Sequence, residues 1–136
     1  MKINWRACFW MTMLGLFVVV VGLVPTPAHA MTRTQVKSTL TSAARYYHLS
    51  AAKTRWIVAK GLHIAWGESR YHTNTGHLNG CYGLFQFGPG WKHHITIGGV
   101  YYADFRKSGR GSAWRFVKVY KVGGKRAIRR HWRATY

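Results

Sequence analysis

The 136-residue sequence predicts a mainly helical single domain with a glycine-rich irregular loop region. Three observations carry that expectation. Apolar residues recur at helical spacing in residues 34–66 and again beyond residue 113. Glycines crowd the stretch between them, at Gly76, Gly80, Gly83, Gly88 and Gly90. An N-terminal export segment, once removed, leaves 106 residues, which is one domain by length.

That export segment is read from its order of parts. Lys2 and Arg6 precede an apolar run over residues 9–24, Pro25-Thr26-Pro27 breaks it, and Ala28-His29-Ala30 supplies small residues at the cleavage positions. This run of sixteen residues falls short of the ~20 that a helix needs to cross a bilayer core. Residues 1–30 are therefore expected to be a secretory signal peptide and 31–136 the mature domain. The destination is the periplasm, the extracellular space or the cell wall. Cys8 leaves with the signal, so Cys81 is expected without an intramolecular disulfide partner.

Residues 34–47 read as a first helix, with Val36, Leu40, Ala43, Ala44 and Tyr47 on one face. Leu49-Ser50 reads as a break followed by an N-cap, because a serine hydroxyl accepts from the first free N–H groups of a helix. A second helix is expected over 51–66. Its face carries Ile57, Gly61, Ile64 and Ala65, and Glu68 continues that stripe. Residues 71–91 read as loop, where glycine supplies positive φ and close backbone approach. Tyr71, Tyr82, Phe85, Phe87 and Trp91 are interleaved there, either as core beneath the loop or as flat faces on which sugars stack. Three short helices are expected over 100–107, 113–122 and 126–132, separated by glycine pairs.

The charge is one-sided. Twenty-one lysines and arginines stand against two acids, and without Lys2 and Arg6 the balance is +17 with histidines neutral. Such a field concentrates polyanions at the surface. For an exported protein these are anionic wall polymers or anionic lipids rather than a specific nucleic acid, and a monomer is expected. The run from Lys125 to Arg133 is either a solvated helix face or an adhesive patch. His72-x4-His77 lacks an acidic ligand nearby, so no metal is expected, and no cofactor. Gly88-Pro89-Gly90 lacks the spacing of a phosphate loop.

Glu68 is the only glutamate, with Asp104 the only aspartate. It is either a salt-bridge partner for a neighbouring base or a lone catalytic acid. Two-carboxylate glycosidases need a partner carboxyl ~5–9.5 Å away. Asp104 is placed on a separate expected helix, as a surface or capping residue. A substrate that supplies its own nucleophile needs only one protein acid/base.

Glu68-Ser69 and the later Gly83-Leu84-Phe85-Gln86, beginning fifteen residues after Glu68, resemble the signature of lytic transglycosylase (transglycosylase SLT) domains of the lysozyme superfamily. Phe85 stands where that family has methionine, and Pro89 and Trp91 resemble its trailing element in shortened form. Tyr120-Lys121-Val122-Gly123 is similar to its later Tyr-Asn-Ala-Gly-like turn, with Lys121 in place of asparagine. The resemblance covers nearly all of residues 34–124 and implies a lysozyme-like fold. It further implies cleavage of the MurNAc–GlcNAc β-1,4 bond of peptidoglycan to a 1,6-anhydromuramoyl end, with Glu68 as acid and then base. Ser69, Gln86 and Tyr120 would orient Glu68 or the substrate, and Gly83 would let the main chain approach the sugar. Tyr71, Tyr82, Leu84 and Phe85 complete the candidate substrate-binding set. The alternatives are a cationic wall- or membrane-binding protein of the same fold with reduced catalysis, or a lysozyme-like hydrolase.

Overall fold

The computed structural model describes residues 30–76, 79–91 and 94–136. The expected signal peptide, apart from Ala30, lies outside the described residues, as do His77 and His93. The described chain is mainly helical, as the periodicity predicts, with three α-helices, two short 3₁₀ turns and one two-stranded sheet.

Helix α1 spans Arg33–Tyr46. Thr32 caps it reciprocally with Gln35: the Gln35 N–H donates to Thr32 Oγ1 at 3.2 Å, and the Thr32 N–H donates to Gln35 Oε1 at 2.7 Å. Its buried stripe is Val36, Leu40, Ala43 and Ala44. Helix α2, Ala51–Ser69, starts at the expected Ser50 cap and runs three residues further than expected, so Glu68 lies within its last turn. Gly61 in its middle sits where a Cβ would come within 2.8 Å of Leu40 and 3.0 Å of Phe116. The missing side chain is what lets the three helices meet. The helix ends on Arg70 and Tyr71, both at positive φ, which turns the chain sharply away.

Residues 100–107 do not form the expected helix. Strand β1, Ile95–Ile97, pairs antiparallel with β2, Val100–Tyr102, through Gly98-Gly99. Both glycines have positive φ, as a tight type I′ hairpin turn requires. Phe105–Lys107 is then a 3₁₀ turn capped by Asp104. The two expected C-terminal helices are the two arms of one longer element, α3, Gly109–His131, which starts at a Ser108 cap and is kinked at Gly124.

Helix α1 packs on both α2 and α3, and Phe85, Phe105 and Phe116 fill the core among them with no exposed surface. The glycine-rich segment between α2 and β1 wraps around one buried cation. Arg106, 3% exposed, donates Nη1 to the carbonyls of Gly80 (3.0 Å) and Gly88 (3.1 Å). A loop without regular hydrogen bonding needs such donors for its inward-facing carbonyls. None of the described helices is long and apolar enough to cross a membrane.

Candidate functional site

Glu68 is half-buried, and its Oε1 accepts a 2.6 Å hydrogen bond from the Thr135 hydroxyl. Among the described residues the ion pair is Asp104–Arg106, so the salt-bridge reading of Glu68 gives way to a hydroxyl contact. Thr135 also fills the space over Gly67, where a Cβ would stand 3.0 Å from its methyl group. The segment after α3 thus lies along the end of α2.

Ser69, one residue on, points inward. Its Oγ lies 2.9 Å from the Leu84 carbonyl and 3.1 Å from the Ala65 carbonyl, one proton shared between two acceptors. This contact clamps the end of α2 to the Gly83–Gln86 segment. The neighbouring carbonyls of that segment are held from other elements: Phe85 O accepts from Trp132 Nε1 at 2.8 Å, and Gly83 O from Gln86 Nε2 at 2.9 Å. Three successive carbonyls therefore have three side-chain donors from α2, the end of α3 and the loop itself. That arrangement fixes the segment against Ser69, the residue that follows Glu68.

The other predicted site residues are redistributed by the fold. Leu84 and Phe85 have no exposed surface, so as side chains they are core rather than substrate contacts. Phe85 stacks on Phe116 at 4.1 Å and meets Trp132 edge-on. Gly83 has φ +79, and a Cβ there would overlap the Arg106 carbonyl oxygen. Its missing side chain makes room for the protein's own backbone at Arg106. Tyr82 carries the Arg106 and Lys107 cations over its ring, at 5.1 and 5.2 Å. Gln86 donates to Thr75 O and Gly83 O, while its Oε1 is buried and unpartnered among the described residues.

Tyr71 is buried, with its hydroxyl 3.3 Å from Leu62 O. It lines a cavity of about 630 Å³ with Trp66 and Arg70, and Glu68 is not part of that lining. Trp66 and Glu68 are two positions apart on a helix and so project roughly 200° apart. Tyr120 stacks on Trp56 at 5.1 Å. Trp56 lies twelve residues before Glu68, about 18 Å along the helix. The fold therefore does not bring Tyr120 to Glu68, a correction to its expected role of orienting the acid.

Asp104 is held by Arg106 as a bidentate pair, Nε to Oδ1 at 2.8 Å and Nη2 to Oδ2 at 2.9 Å. The hydrogen bonds from Arg106 hold its carboxyl below the ordinary aspartate value, against the opposing effect of burial. The capping role expected of Asp104 is what it does, on a 3₁₀ turn rather than on a helix. Among the described residues no three His, Cys, Asp or Glu side chains converge as metal ligands would.

Sequence reading missed Thr135, Trp132 and Arg106. Only Arg106 carried a signal, its position two residues after the single aspartate. No family model matches this chain, and neither a curated protein nor a solved structure matches it significantly.

Proposed function

We propose that this chain is an exported, lysozyme-like peptidoglycan lytic transglycosylase with Glu68 as its single acid/base. The observation that supports this most is the Ser69–Leu84 contact, 2.9 Å, which joins the two segments whose residues carry the resemblance. Glu68 stands next to that joint, partly open to solvent. Its protonated carboxyl would give its proton to the glycosidic oxygen as the C1–O4 bond breaks. The resulting carboxylate would take the proton of the muramoyl C6 hydroxyl as O6 bonds to C1. The acid is thereby restored, no water is consumed, and no second carboxylate is needed. Thr135 engages Oε1, which leaves Oε2 to carry the proton. With Asp104 committed to Arg106, a mechanism with a second free carboxylate has little support.

Glu68→Gln keeps the shape and removes the proton donor. Release of muropeptides from purified sacculi should fall by ~10²-fold or more, the scale of general-acid catalysis. Mass spectrometry of the wild-type products should give 1,6-anhydromuramoyl ends. Reducing ends would point to hydrolysis, and full activity of Glu68→Gln would end the single-acid reading.

A second reading has its own observation. Arg126, Arg129, Arg130 and Arg133, all exposed, line a groove of about 460 Å³ with Tyr136. This arrangement favours a cationic wall-binding protein of reduced catalysis, with anionic wall polymers as partner. Retention on sacculi without product release would select it.

A further inference from the structure

The kink in α3 creates a hollow that the proposed reaction does not use. Gly124 adopts φ +62 and ψ −161 between two helical arms, and residues of both arms line one hollow at the kink. A cavity of about 280 Å³ lies in that crook. Its walls are apolar: Val119 and Val122 from the first arm, Ala127 from the second, and the Trp91 indole from the Pro89–Trp91 turn. Val122 is 81% exposed, so a valine of the wall stands open to water. Apolar surface left in water forgoes roughly 25 cal/mol for each Å² that a ligand could cover.

The rim is cationic. Arg115, Lys118 and His131 line the same cavity. The Arg115 guanidinium lies 5.1 Å over the Trp91 ring, and His131 meets that ring edge-on at 5.2 Å. Arg115 Nε is buried and has no hydrogen-bond partner among the described residues. An unpaired buried donor on a cation is costly unless something accepts from it. The chain cannot supply the acceptor as a side-chain anion. It has two carboxylates in all, Glu68 is held by Thr135, and Asp104 by Arg106.

We infer that this crook binds a small single-chain carboxylate of the fatty-acid type, with the chain against Trp91, Val119 and Val122 and the carboxylate at Arg115 and Lys118. Arginine suits a carboxylate because its planar fork donates two parallel hydrogen bonds. The volume lies just below the ~300–1,000 Å³ of ordinary ligand pockets, room for one short chain but not for a two-chain lipid. The inference is independent of the glycan-cleaving role and would stand if that role failed.

The test is calorimetric titration of the full mature chain with octanoate, below its micelle concentration. Octanol carries the same chain without charge, and acetate the charge without the chain. Octanoate should bind at a single site, with each control at least about tenfold weaker. Lys118→Glu combined with Val122→Asp changes only exposed positions, so folding should persist by circular dichroism. In that variant octanoate affinity should drop at least about tenfold as the rim charge reverses and the wall turns polar. Acetate binding as tightly as octanoate would reduce the site to bare charge, and octanol doing so would reduce it to bare apolar surface. Either result overturns the proposal. So does unchanged affinity in the double variant, or failure to bind octanoate by a protein that still adheres to anionic two-chain vesicles.

Discussion

Asp104 shows how much one side chain can organise in a chain so poor in acid. It caps the 3₁₀ turn and fixes the Arg106 guanidinium, which in turn holds the Gly80 and Gly88 carbonyls of the loop beside the candidate site. Because Arg106 depresses its folded pKa, ionised Asp104 is favoured in the native state. Its stabilisation is present above the ordinary aspartate value of about 4 and is lost as pH falls through the lower folded value. Asp104→Asn should therefore cost ~1–3 kcal/mol at neutral pH, the scale of hydrogen bonds to a charged group. The gap to wild type should close as urea titrations are repeated below about pH 4. Turnover of sacculi by the variant should stay within a few-fold of wild type, because the carboxyl is committed to structure. At this scale the site was half legible. Glu68 could be picked out as the only glutamate at the end of an apolar stripe, and Ser69 only through the resemblance of Glu68-Ser69 to a family signature. Thr135 could not, since nothing in its own neighbourhood marks it as the residue that reaches Glu68 across 67 positions of sequence.

Among the elements, the glycine pairs were visible as punctuation but not as to what they punctuate. Gly98-Gly99, between Ile95-Thr96-Ile97 and Val100-Tyr101-Tyr102, is a hairpin turn, and the flanking β-branched and aromatic residues carry the signal. Reading residues 100–107 as helix gave weight to spacing over that composition. Gly123-Gly124 divides α3 into two helical arms, as expected, and the chain turns at Gly124, whose backbone is not helical. The Gly124 φ and ψ fall in a region open essentially to glycine alone. Gly124→Ala should cost ~1–3 kcal/mol, measured by urea denaturation at neutral pH, because the new Cβ must either be strained or straighten the kink. A straightened helix would move Ala127 and His131 away from Val119, so octanoate binding should weaken together with stability.

At the scale of the whole molecule the dominant property is charge, and its effect should fall on adhesion rather than chemistry. Exposed ionic contacts are screened within ~8 Å at physiological salt and more closely above it. Raising salt towards ~0.5 M should release the protein from intact walls, while turnover of a short soluble glycan fragment should change far less. Alanine at Arg126, Arg129, Arg130 and Arg133 together should reproduce the high-salt release in a wall-retention assay. Retention indifferent to salt would move the binding to sugar contacts. The sequence alone determined the basic surface, the helical character and the apolar faces of α1 and α2, because composition and periodicity are local properties that every residue carries with it. Only the tertiary structure decided that Ser69 closes on Leu84, that Leu84 and Phe85 are core, that Gly83 makes room for Arg106, and that Tyr120 lies with Trp56 far from Glu68. Those outcomes depend on contacts between residues distant in the chain, where packing chooses among partners that local pattern leaves equivalent.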